Sequence, residues 1–276
     1  MSILRTGLCL ILLAAFPSAA AADQSCSDGI ARVCIDTVQR NNSVAVSAIN
    51  PATFEVTLTL NANLRNMTPS ARLPFTRTLE GGFHQPILTF LAGGGEWHWD
   101  YSFNWVVGAL NVRHNDSVIY DLPYRGTHTV IQGFHGTFSH TGNDEYAVDW
   151  SMPVGTPILA AREGVVIGTK SDSNQGGPDR KFADLGNFIF IRHADGTIGE
   201  YYHVRQGGAA VKIGDQVRRR QVIAYSGNTG FSDGPHLHFS IFRAVDGFKQ
   251  QSFPMRFQTA SGIISPVQGQ TYVSPP

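Results

Sequence analysis

From Ala31 to about Tyr120, apolar and polar positions alternate in short runs: Ser43 to Ala48, Thr53 to Leu60, Pro86 to Leu91, Trp97 to Val106 and Ser117 to Asp121. A period of two places alternate side chains on opposite faces of a strand, so each run reads as a half-buried β-strand. Turn formers separate them at Asn50-Pro51, Thr68-Pro69, Gly81-Gly82 and Gly93 to Gly95. Strands at this spacing predict an immunoglobulin-like β-sandwich over 23–125. Leu122-Pro123-Tyr124-Arg125-Gly126 reads as a linker. A second series comes after it: Pro157 to Ala161, Val165 to Thr169, Phe188 to His193, Gly199 to Val204, Gln221 to Ser226 and His236 to Phe242. These runs predict an antiparallel β unit over 126–257, and Ser171 to Asp184 reads as a long polar loop. Residues 258–276 read as a loop-like tail, frayed at Ser274-Pro275-Pro276. Neither half shows an amphipathic helix or a repeat, so the expected fold class is all-β.

The first residues stand outside this pattern. A basic start (Met1 to Arg5), an apolar run (Leu8 to Phe16) and small residues up to Ala22 form the order of a secretory signal peptide, 1–22. The apolar run is too short for a membrane span, which needs about 20 residues. The expected location is therefore exported, periplasmic or secreted, with no membrane insertion once the leader is removed. The chain has 21 basic and 21 acidic residues, and losing Arg5 leaves the remainder near −1. That balance offers no basic excess for nucleic acid. Cys26 and Cys34 are the two cysteines after the leader, and an even pair in an oxidising compartment reads as a disulfide, two buried thiols being the alternative.

Candidate chemistry is concentrated in the second unit. In His236-Leu237-His238 on a strand, both imidazoles project to one face and Leu237 to the other. A His-x-His pair by itself is weak evidence, but His140, Asp149 and His203 lie in turn-bounded β contexts of the same unit. A catalytic zinc site takes three nitrogen or carboxylate ligands and keeps one position open. Two His and one Asp meet that need and leave two His for acid–base work. His84, His98 and His114 show no ligand-like spacing. His128 and His135 lie close to the motif without being required by it, and His193 is placed at a turn as a structural or exposed residue. Gly164, Gly214, Gly227, Gly230 and Gly234 read as hairpin glycines requiring positive φ.

The ordered motifs Gly136-Thr137-Phe138-Ser139-His140, Tyr146-Ala147-Val148-Asp149, Met152-Pro153-Val154-Gly155-Thr156-Pro157, Tyr201-Tyr202-His203 and Gly234-Pro235-His236-Leu237-His238-Phe239 resemble the lysostaphin-type zinc peptidoglycan endopeptidases. The resemblance covers about Gln132 to Phe242. It implies a lysostaphin-type antiparallel β peptidase unit with one Zn2+ per chain held by His140, Asp149 and His238. It further implies His236 and His203 as the catalytic pair, a protonated His203 steadying the oxyanion, and peptidoglycan peptides as the substrate. The commonest pattern of that family leaves three residues between the first His and the Asp, which would select Asp144. Asp149 is preferred because Trp150-Ser151-Met152-Pro153-Val154-Gly155-Thr156-Pro157 reproduces the stretch that succeeds the aspartate ligand in that family. Asp144 instead lies among turn formers expected to be exposed. The competing readings are a protease acting on Gly-rich proteins, a non-catalytic wall-binding or activator module, and a structural zinc site. The filled set of five positions argues against the non-catalytic module. The two spare histidines argue against the structural site.

Overall fold

The computed structural model describes residues 22–276, so the leader expected over 1–22 lies outside the described residues except for Ala22. The N-terminal part forms two facing sheets. A five-stranded sheet runs in the order Ala22–Ser27, Val33–Arg40, Ser43–Asn50, Phe83–Ala92 and Met67–Pro69, and a three-stranded one in the order Phe75–Leu79, Val56–Arg65 and His98–Val107. Alternation does what it predicted: in Ser43–Asn50 every second residue is buried. Val44 and Val46 meet Leu58 and Leu60 of the other sheet in one core. Cys26 and Cys34 face each other across the first hairpin and are joined by a disulfide.

The C-terminal part is built on a nine-stranded sheet. Its path is Gln216–Val217, Gly164–Lys170, Phe188–Arg192, Ile198–Tyr202, His236–Ala244, Val148–Ser151, Thr127–Gln132 and Thr271–Val273, with Gln250–Ser252 paired to His236–Ala244. A three-stranded sheet (Pro157–Leu159, Val222–Ser226, Val204–Ala209) covers one face. Ile189, Tyr201, Leu237 and Phe239 pack there against Ile158, Val204 and Ile223. Side chains one residue out of step point to the opposite face. On it, Phe188, Phe190, Ile198 and Phe242 join the core of the N-terminal sandwich. The junction also carries an Arg192–Glu55 ion pair and a hydrogen bond from Gly247 N to Thr59 Oγ1 of 2.8 Å.

Several expectations change. The segment read as a linker is core, with Leu122 and Tyr124 buried among the C-terminal part's apolar residues. Ile119–Asp121 pairs in parallel with Arg256–Thr259 rather than within the sandwich. The tail is not loop-like: Thr271–Val273 adds an edge strand to Thr127–Gln132, and Ser274 is buried. The polar loop holds a short strand, Gly176–Gly177, and a 3-10 helix, Arg180–Leu185. Of the five hairpin glycines only Gly214 and Gly230 adopt positive φ. Gly227 is small for a different reason: a Cβ there would lie 2.5 Å from Arg205 N.

Candidate metal centre

Strand register assembles the site. Asp149 stands directly opposite His238, Ser151 opposite His236, Gln132 opposite Asp149, and Tyr202 opposite His238. Gln132, Asp149, His238 and Tyr202 thus form one row across four strands, with side chains on the face away from the Leu237 core. His140 enters from the turn after Thr127–Gln132 and is fully buried. One ligating atom each from His140, Asp149 and His238 lies within 4.8 Å of the others. Asp149 Oδ1 is 2.9 Å from His238 Nδ1 and 3.2 Å from His140 Nε2. His140 Nδ1 is tied to Gly133 O at 2.8 Å, which leaves the buried Nε2 without a hydrogen bond. A buried lone pair aimed at a carboxylate and a second imidazole is a donor set compatible with a metal.

The two further histidines stand beside this group. The His203 and His236 rings are 4.4 Å apart, and His236 Nε2 is 3.8 Å from Asp149 Oδ1. His203 lies just past the end of its strand at φ 65°, a left-handed conformation that turns the chain sharply there. Its Nδ1 bonds Thr229 O at 2.7 Å, and His236 Nδ1 bonds Gly234 O at 2.7 Å. Both rings therefore expose Nε2 as the free nitrogen. None of the remaining histidines joins the group. His128 bonds Ser151 O, His135 pairs with Glu145, and His84, His98 and His114 pair with surface aspartates. His193 is structural, as one alternative had it, but buried rather than exposed.

Electrostatics are set by burial and these contacts. Burial pushes the Asp149 carboxyl up, but hydrogen bonds from His140 and His238 outweigh it and hold the group well below the usual carboxylate range. Burial, reinforced by His236 and His238, pushes His203 down to about 3. For His238, burial opposes protonation, yet Asp149 and Glu200 raise it well above its ordinary value.

Two neighbours were not foreseen. Gln132 Nε2 donates to Asp149 Oδ2 at 3.1 Å and to Ser139 Oγ at 2.7 Å, while its Oε1 accepts from Phe138 N at 3.2 Å. This grip turns Asp149 Oδ1 toward the histidines. Glu200 accepts from Ser240 Oγ and lies 3.8 Å from His238 Nε2. Asp144 also differs from expectation. It ends a 3-10 turn (Gly142–Asp144), is half-buried, and accepts from Gln250 Nε2 at 3.0 Å. Burial first and then Glu200 raise its carboxyl. With Glu200 and His238 it forms a second acid–histidine group that shares His238 with the first.

Residues 143–251 match the profile of peptidase family M23, a match that begins just after His140. A glycyl-glycine endopeptidase of Staphylococcus capitis is 36% identical over 124 residues, 44% of this chain and 31% of that protein. A peptidoglycan DD-endopeptidase of Vibrio cholerae is 41% identical over 93 residues, 34% of this chain and 19% of that protein. The chain thus spans less than a third of the length of these relatives. The catalytic domain of lysostaphin from Staphylococcus simulans is a structural neighbour at 26% identity, with 46% of this chain and 88% of that one covered and a TM-score of 0.32. Over residues 143–251 the chain is thus similar to peptidase family M23, and its relatives there include peptidoglycan and glycyl-glycine endopeptidases.

Proposed function

We propose that this chain is an exported zinc endopeptidase that hydrolyses peptide cross-links of peptidoglycan, with His140, Asp149 and His238 as metal ligands and His203 and His236 as the catalytic pair. The observation that carries the reading is the convergence of His140 Nε2, Asp149 Oδ1 and His238 Nδ1, with two further imidazoles at its edge. Two imidazole nitrogens and one carboxylate oxygen suit zinc and leave room for a fourth ligand. When bound, zinc supplies a Lewis acid that lowers the pKa of water toward about 7 and polarises a carbonyl oxygen.

The protein's own groups do the rest. Asp149, ionised at neutral pH, supplies charge to hold the cation, and Gln132 keeps its second oxygen occupied. His203 and His236, each fixed through Nδ1, keep Nε2 free for the reacting centre. One accepts a proton as water adds to the peptide carbonyl carbon. That proton must then reach the amine nitrogen as the C–N bond breaks. The test is release of peptides from purified peptidoglycan, with products identified by mass. Cleavage abolished by a chelator and restored by Zn2+ is expected, and cleavage indifferent to chelation would refute the metal-dependent mechanism.

A further inference from the structure

Along the strands Ile198–Tyr202 and His236–Ala244, the rows Tyr202/His238, Glu200/Ser240 and Ile198/Phe242 succeed one another on a single face. Each row is about 7 Å from the next, two residues along a strand. The first row belongs to the metal centre, and the last is sealed beneath the N-terminal sandwich. The sandwich therefore ends about 14 Å from the site on the same surface that bears it. A cavity of about 990 Å³ fills the interval, lined by His203, His238, Tyr202 and Phe188 on one side and by Asp28, Asn104 and Trp105 of the sandwich on another.

We propose that the sandwich is the second wall of the substrate groove: a peptide bound at the metal centre extends on one side of the scissile bond along Tyr202 and Phe188 to the edge formed by Asp28 and Asn104. The inference rests on the endopeptidase reading above. The cavity is at the upper end of the range for small-ligand pockets, about 300–1,000 Å³, and is open to several residues of an extended chain. The wall is held in place. Ile198 and Phe242 are wholly buried at the junction, and Trp105 packs so closely on Gly29 that a Cβ there would lie 2.8 Å from the ring. Charge narrows the occupant. Asp28 and Asp184 line the walls, while the ammonium of Lys170 is engaged by Asp184 O at 3.2 Å and lies 3.9 Å from Asp172. A neutral or cationic peptide segment suits this groove, and an acidic one does not.

The test uses cross-linked peptides released from purified peptidoglycan by an amidase, either intact or trimmed to the residues flanking the cross-link, and the zinc-loaded chain. The wild type should cleave the intact peptide with the higher kcat/KM. Asn104→Trp and Asp28→Arg should each reduce that advantage about tenfold, through KM, with zinc content and turnover of the trimmed peptide unchanged; tenfold is about 1.4 kcal/mol. In zinc-loaded His236→Ala, the intact peptide should slow amide exchange at 27–30 and 104–107. An undiminished advantage in both variants, or no protection at those segments, overturns the proposal. Protection there, with neither peptide cleaved by the wild type, overturns the endopeptidase reading while leaving the groove.

Discussion

Asp149 and Asp144 show how much a single position depends on its surroundings. Asp149 lies on a strand directly opposite His238, so the backbone itself sets the distance between carboxylate and imidazole. Asp144 reaches the neighbourhood of His238 only from a turn, and Gln250 holds its carboxylate. Asp149→Ala should therefore abolish stoichiometric zinc binding, and Asp144→Ala should leave it nearly intact, as measured by metal analysis of the purified variants. Zinc lost from the Asp144 variant and kept by the Asp149 variant would reverse the ligand assignment. Gln132 makes a sharper case. By occupying Asp149 Oδ2 it leaves Oδ1 to face His140 and His238. Removing such a support lowers metal affinity by about 10–100-fold in comparable sites. Gln132→Ala should show that loss in a chelator competition, whereas Gln132→Glu replaces the donor by a second carboxylate and should not restore it. An unchanged affinity in Gln132→Ala would mean that the hydrogen bond does not orient the ligand.

At the scale of the element, the strand His236–Ala244 does two jobs with one period. Its odd positions, Leu237 and Phe239, are wholly buried in the core, and its even positions carry the site histidines and then Phe242 at the sandwich junction. Leu237→Ala removes core contacts without touching the histidine face. It should cost about 2–5 kcal/mol of stability, the range for such truncations. Thermal unfolding should move down accordingly while one zinc per folded chain is retained. Loss of zinc with an unchanged Tm would show that the two faces are not independent. The same period explains why this strand was legible from sequence and why Thr271–Val273 was not. The first is nine residues of buried pattern, the second three residues at a sheet edge, too few for a period to be read.

At the scale of the whole molecule, burial of ionisable groups links stability to pH. His193 is buried, its Nδ1 bonded to Glu163 O and its Nε2 without a partner. Burial pushes its pKa down to about 4. The unfolded chain, with an ordinary histidine near 6.5, binds the proton first, so stability is full above that value and falls as pH drops from about 6.5 toward 4. Between pH 7 and pH 5 this one group contributes a loss of about 2 kcal/mol. His193→Gln should shrink the difference in Tm between those two pH values, measured on the same preparation. An equal difference in variant and wild type would place the acid sensitivity elsewhere.

The sequence by itself determined the β class, most long strands, the disulfide partners and the five residues that meet at the site. Each rests on local information: period-two alternation, an even cysteine count, and ordered motifs whose residues sit on or beside strands. Tertiary structure decided the rest. Leu122 and Tyr124 look like a linker because Pro123 and Gly126 flank them, and only packing against the C-terminal core buries them. Gln132 and Glu200 carry no motif. Their importance comes from strand register, which sets Gln132 opposite Asp149 and Glu200 beside His238 from strands distant in sequence. The place of the sandwich beside the histidine cluster was likewise invisible along the chain. It depends on the sandwich packing onto the face that Ile198 and Phe242 share with His238, and only tertiary contact decides that.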